Sequence, residues 1–134
     1  MKKIYVVSSG EYSDYGIDAI FDSKGLAEKY ISAFDQNCYD QMEIEEWELN
    51  PNENEVKNGR KAFCVRMDKQ GNTKEVEWRD STFGLRNTSL NISFTYNKEL
   101  MNCYCFANDE KHAVKIANEK RVQLLANDSW GVDI

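Results

Sequence analysis

The stretch from Leu90 to Leu125 decides the class of fold. It opens Leu90-Asn91-Ile92-Ser93-Phe94-Thr95-Tyr96, where Leu90, Ile92, Phe94 and Tyr96 alternate with polar residues. After a short loop comes the apolar run Met101-Asn102-Cys103-Tyr104-Cys105-Phe106. Asn108 then stands as a helix cap, with Ala113, Ile116, Ala117, Leu124 and Leu125 on one helical face behind it. A period of two that changes to 3.6 means strands followed by a helix.

The same reading extends upstream. Ala62 to Met67 and Thr73 to Trp78 flank Asp68-Lys69-Gln70-Gly71-Asn72, the pattern of a hairpin. Ile44 to Leu49 is a strand carrying Glu43, Glu45, Glu46 and Glu48 along a solvated face, and Asn50-Pro51-Asn52 breaks it. At the start, Ile4-Tyr5-Val6-Val7 and the alternating Ile17, Ala19 and Phe21 make a second hairpin. Asp22-Ser23 opens a helix with Leu26, Ala27, Tyr30, Ile31 and Phe34 at helical spacing. Counted from Asp22 and from Asn108, apolar residues fall at the same offsets: Ala27, Tyr30 and Ile31 in one helix, Ala113, Ile116 and Ala117 in the other. The expectation is an α+β fold: an antiparallel β-sheet of about six to seven strands with two α-helices packed on it, as a single domain over residues 1–134. Beyond Asn127 the tail is either loose or anchored by Trp130.

With 134 residues and 41% apolar content, such a domain buries enough surface to fold without a metal or disulfide staple. No apolar run is long enough to span a bilayer. Four cysteines without an export signal read as reduced thiols in a cytoplasmic protein. The net charge of −6 disfavours generic nucleic-acid binding, which depends on a basic surface. That charge is unevenly divided. Residues 1–56 carry −9, whereas 57–91 carry +4 and hold four of the five arginines, Arg60, Arg66, Arg79 and Arg86. Two readings of the division stand together: acidic and basic strands that complement each other across a sheet, or arginine forks gathered for a phosphate or carboxylate.

Catalytic patterns are sparse, and no enzyme activity is expected. The single His112 is a surface residue near the start of the last helix. Cys103 and Cys105 are two apart on a strand, so they share one face, and neither spacing nor partners suit zinc. There is no phosphate loop and no nucleophile elbow. Two segments stand out instead. Ser8-Ser9-Gly10-Glu11-Tyr12-Ser13-Asp14-Tyr15-Gly16 is long for a hairpin loop, and its tyrosines either pack back over the sheet edge or serve binding. Arg79 to Asn91 fits neither period and mixes arginine, Phe83, Gly84 and amides. An aromatic face can stack on a base, arginines pair with phosphates, and amides read hydroxyls, which is nucleotide binding without chemistry. Arg121 falls near the apolar stripe of the last helix, placed either to reach over a pocket or to snorkel.

The opening Lys3 to Gly16, with Ile20-Phe21-Asp22-Ser23-Lys24, Ala27-Glu28-Lys29-Tyr30-Ile31 and Ile44-Glu45-Glu46-Trp47-Glu48-Leu49, resembles small phage and prophage proteins. Within that pool, the size, the hairpin-and-helix start and the C-terminal helix resemble the Thoeris anti-defence nucleotide sponges, first type. The resemblance covers about the first 50 residues by motif and the rest by layout. It implies an oligomeric phage protein in the host cytoplasm. Such a protein sequesters cyclic ADP-ribose-type immune signals without cleaving them and, in some members, holds cyclic oligonucleotides at a separate site. No ligand motif of that family aligns on the middle block, so no residue role is carried over.

From the chemistry of the residues, the expected ligand is a small anionic nucleotide bound by Arg60, Phe83, Arg86, Asn91 and Arg121, with no cofactor and no membrane. Phe83 would stack on the base, the arginines would face phosphates and Asn91 would read hydroxyls. The alternative is an inhibitor acting by protein contact, its acidic face made of Glu43, Glu45, Glu46, Glu48, Glu53 and Glu55. A third is a weak enzyme using Cys64, Cys103 or Cys105.

Overall fold

Ile4-Tyr5-Val6-Val7 lies inside strand β1 (Lys3–Ser9), the centre of a three-stranded antiparallel sheet. Its neighbours are β2 (Gly16–Phe21) and β3 (Glu43–Glu48), in the order β2-β1-β3. A computed structural model describes residues 2–35 and 41–132 of the chain; Cys38 lies outside them. By its internal contacts the chain divides into two units, Met1–Asn50 and Pro51–Ile134.

In the first unit, helix α1 (Lys24–Ser32) lies against β1 and β2. Ser23 caps it, its hydroxyl accepting from the Leu26 amide at 3.4 Å. Ala27, fully buried, lets the helix approach the sheet. Phe21, Tyr30 and Phe34 form a tilted aromatic ladder with centroids 5.3 and 5.1 Å apart. The register pairs Tyr5 with Phe21 and Val7 with Ala19, and shifts between Val7 and Ser8, where β2 carries an extra residue.

The second unit opens with a short helix α2 (Glu53–Lys57) and continues through β4 (Lys61–Asp68), β5 (Thr73–Trp78), β6 (Leu90–Phe94), β7 (Leu100–Ala107) and helix α3 (Glu110–Ala126). Its four strands are antiparallel in the order β5-β4-β7-β6. Alternation sends Phe63, Val65 and Met67 of β4 and Met101, Cys103 and Cys105 of β7 to one face, where they form a core with Ala113, Ala117 and Leu124 of α3. Each large side chain buried there contributes about 1.5–3 kcal/mol of transfer free energy. Arg121 spans from α3 to the β4–β5 turn: its guanidinium donates to the Lys69 carbonyl at 3.0 Å and to Asn118 at 3.0 Å. Gly71 in that turn is required, since its φ is +93° and a Cβ would sit 3.1 Å from the Arg121 guanidinium. The tail is anchored: the Trp130 indole donates to the Lys98 carbonyl at 2.9 Å and packs edge-on against Phe94 at 5.2 Å.

The α+β class and, among the described residues, seven strands agree with the expected six to seven. The sheet, expected to be one, is two, because β1 pairs with β3 and β4 with β7 over long sequence separations that no local pattern encodes. A third helix, α2, is short, and its first residues follow Asn50 and Asn52, both in the left-handed region. The cap of α3 is Asp109 rather than Asn108. The Asp109 carboxylate accepts from the His112 amide at 2.8 Å, while the Asn108 amide donates back to His112 Nδ1 at 3.0 Å.

Candidate functional site

The face of the second sheet that α3 leaves uncovered carries a second, mixed set of side chains. Cys64 and Arg66 of β4 stand opposite Tyr104 and Asn102 of β7, and Asn91 of β6 pairs with Tyr104 from the other side. The segment between β5 and β6 folds back over them. Leu85 is buried against Cys64 and Tyr104, and Asn52 holds the segment by donating to the Leu85 carbonyl at 3.0 Å. Gly84, at φ +85°, lies flat on the tyrosine: a Cβ there would come within 2.7 Å of the Tyr104 ring. Only glycine fits both the angle and the contact.

Two groups crown Tyr104. The Phe83 ring meets it edge-on at 5.7 Å and is 68% exposed, leaving most of its surface to solvent. The Arg79 guanidinium sits over the same ring, 5.6 Å from the tyrosine centroid. Arg79 is paired with Glu77 at 3.3 Å and its side chain is only 17% exposed. Its Nε is buried with no hydrogen-bond partner among the described residues. Beyond Tyr104, Arg66 donates to Asn102 at 2.9 Å and Glu75 at 3.3 Å, and Asn102 donates to Ser93 at 3.3 Å. Burial pushes both the Cys64 thiol and the Tyr104 phenol above their ordinary ranges.

Of the residues nominated from sequence, Phe83 lies on this face through its contact with Tyr104, and Asn91 through its pairing. Arg86 is exposed three residues further along the covering segment. Arg60 directly precedes β4 and pairs with Glu55 at 3.0 Å; its Nε, like that of Arg79, is buried and has no hydrogen-bond partner among the described residues. Arg121 is not brought to them. It belongs to the helix-bearing side of the sheet and its bonds hold the β4–β5 turn. Arg79 and Tyr104 were not nominated. The signal for Tyr104 was available: in Met101-Asn102-Cys103-Tyr104-Cys105-Phe106, alternation sends the tyrosine to the face opposite the cysteines.

The remaining candidates resolve differently. Cys103 and Cys105 lie in the helix-covered core, where the Cys105 thiol and burial push the Cys103 thiol far up; a protonated thiol is a poor nucleophile. His112 serves the start of α3. The glutamates of β3 do not form one acidic face. Glu43 and Glu45 share a side with Trp47, whereas Glu46 and Glu48 fall on the other, with Glu46 paired to Lys3 at 2.9 Å. Among the described residues, no three His, Cys, Asp or Glu side chains are grouped to hold a metal ion, and no helix is long and apolar enough to cross a membrane.

The family model of a domain of unknown function, DUF7336, matches residues 2–58, which take in the first unit and α2. The match carries no activity with it. No curated protein and no solved structure matches the chain.

Proposed function

We propose that this protein binds a small anionic nucleotide, of the cyclic ADP-ribose class that the sequence resemblance implies, and holds it without cleaving it. The observation that carries the reading is that Arg79 and Phe83 both meet the ring of Tyr104. Arg79, whose Nε is buried with no hydrogen-bond partner among the described residues, shares Tyr104 with a Phe83 ring that is open to solvent. A nucleobase stacking on Phe83 places its phosphates toward the arginines of the segment, Arg79 and Arg86, while Asn91 faces the ribose hydroxyls. Burial of the Arg79 side chain strengthens its ion pair with a phosphate relative to one in water. No general base or nucleophile is needed for this role. The protein removes a signal by mass action, in proportion to its concentration over the dissociation constant. Assembly into a homo-oligomer, part of the same proposal, would bury the ligand further, and its check is the molar mass in solution by light scattering.

The test is calorimetric titration of the full chain with cyclic ADP-ribose, followed by chromatography of the ligand released on denaturation. Saturable binding with ligand recovered intact is the expected result. Phe83→Ala should weaken it by about 1–3 kcal/mol, the range for a base stacked on an aromatic side chain. Absence of binding far above micromolar concentration overturns the proposal, and recovery of a cleaved product replaces it with catalysis.

A further inference from the structure

Four strands form the edges of the two sheets: β2 and β3 in the first, β5 and β6 in the second. An exposed edge is a template for pairing with another chain, and proteins blunt it with charge or with a bulge. Three of these edges are blunted in that way. β2 carries an extra residue, Asp18, where its register with β1 shifts. β3 carries Glu43, Glu45, Glu46 and Glu48, and β5 carries Lys74, Glu75 and Glu77. β6, Leu90-Asn91-Ile92-Ser93-Phe94, has no charged residue, no proline and no shift in its register with β7.

The ladder defines which backbone groups that edge offers. The Thr95 amide donates to the Leu100 carbonyl at 3.0 Å, a bonded pair at the end of the β6–β7 hairpin. Bonded and non-bonded pairs alternate along antiparallel strands, so Ser93 and Asn91 also turn their backbone groups to β7. Leu90, Ile92 and Phe94 turn theirs outward, where no strand among the described residues pairs with them. The Thr88 hydroxyl donates to the Leu90 carbonyl at 2.8 Å and closes that end of the edge. The N–H and C=O groups of Ile92 and Phe94 are left facing out. Their side chains pack against the core on the α3 side of the sheet and are only partly buried. Just beyond the strand, the Tyr96 ring stands fully in solvent.

We propose that β6 pairs antiparallel with β6 of a second copy across a two-fold axis, joining two four-stranded sheets into one of eight. This gives a surface to the homo-oligomer of the proposed function and rests on that part of it, not on the nucleotide. The occupant follows from the pattern of the edge. A neutral strand meets its own copy without repulsion, and its outward donors and acceptors complement the same set turned through the axis. The register that joins them sets Ile92 opposite Phe94 of the second copy, and Ser93 opposite Ser93. Ile92 and Phe94 then continue the apolar layer from one copy into the next. On the other face the two Ser93 side chains meet at a non-bonded pair, with about 4.5 Å between Cα atoms. Both Tyr104 faces lie on that same side of the joined sheet.

Sedimentation equilibrium of the full-length protein, without nucleotide and over a range of concentration, is the test. The expected result is a reversible dimer, with amide exchange at Ile92 and Phe94 slowing as the dimer fills. Ser93→Lys and Ser93→Glu each set like charges face to face and should weaken it by about tenfold or more. Each also loses the bond from Asn102, so the two variants are mixed in equal amounts. Lysine then faces glutamate and the dimer should return, a recovery that damage to the fold would not allow. Thr73→Lys, on the opposite edge β5, should leave the dimer unchanged. Far-UV circular dichroism checks the fold of each variant. A parent that stays monomeric at high micromolar concentration overturns the proposal, as does a dimer that both Ser93 variants keep at full strength. Failure of the folded variants to pair when mixed overturns it too. Nucleotide binding by a monomer would sink the edge and keep the binding reading, and a dimer that binds no nucleotide would do the reverse.

Discussion

The two units use one device at two strengths. Each sets a capped helix against an antiparallel sheet through a buried alanine one turn past the cap: Ser23 with Ala27 in the first, Asp109 with Ala113 in the second. The echo of apolar offsets between the helices reflects this shared geometry. The second unit extends it to four strands, a helix of 17 residues and a core that includes Met67, Met101, Cys103 and Cys105. The first has three strands and a helix of nine residues. A small sheet gains independent stability from strand number and from an apolar face to bury, so the second unit is the more robust half. The helix-free faces diverge as well. In the second unit a loop with arginines and an open phenylalanine lies over a tyrosine; in the first, a loop with carboxylates encloses a cleft.

The largest effect expected is in the larger core of the second unit. Met101→Ala should cost about 2–5 kcal/mol in urea unfolding, and hydrogen exchange should show the amides of β4 and β7 more slowly exchanging than those of β1. Equal protection in both sheets would remove the asymmetry. Next come the two glycines at φ +85°, Gly10 and Gly84. Alanine at either should destabilise by about 1–3 kcal/mol, because the angle is strained and the space is occupied. Gly10→Ala should be the worse, since it meets backbone, whereas Gly84→Ala meets a ring that can tilt. Third, removing the caps should cost about 1 kcal/mol for Asp109→Ala and less for Ser23→Ala, following their 2.8 and 3.4 Å bonds. Arg121→Ala should cost about 0.5–1 kcal/mol of stability through the lost bond to Lys69, with nucleotide affinity unaltered. A loss of affinity there would restore Arg121 to the binding site.

The smallest effect is a pH dependence. The backbone amide of Asn72 holds the Asp68 carboxyl below the ordinary aspartate range, with the Asn72 side chain and Lys74 acting in the same direction. Its folded pKa is depressed, so the contribution is full above the unfolded value of about 3.9 and is lost as pH falls through the folded one. Comparing Asp68→Asn with the parent, the difference in melting temperature should be constant above about pH 5 and shrink toward pH 2.

Local pattern made most elements legible. A β-branched run marked β1 and alternation marked β2, Asp68 to Asn72 marked the hairpin turn, and Ser23 marked the start of α1. What pattern could not supply was pairing at a distance, which is why one sheet was expected where there are two. α2 escaped because five residues are too few to show a helical period and they follow a proline that reads as a break. Asn108 and Asp109 are both good caps, and only geometry chooses between them. At the site, composition drew attention to the segment from Arg79 to Asn91, but nothing in it announced that Tyr104 would lie beneath. Helical spacing placed Arg121 near the apolar stripe; its partner, 52 residues earlier in the chain, was out of reach of any local rule.

The anchoring of Trp130 also gives the molecule a built-in optical label. Trp47 is the indole of the first unit, while Trp78 and Trp130 belong to the second. Trp130 donates to a carbonyl and lies edge-on against Phe94, whereas Trp78 is largely in solvent. Emission from Trp130 will therefore redden when the end of the second sheet opens. With Trp78 replaced by phenylalanine, the spectrum divides into one reporter for each half of the chain.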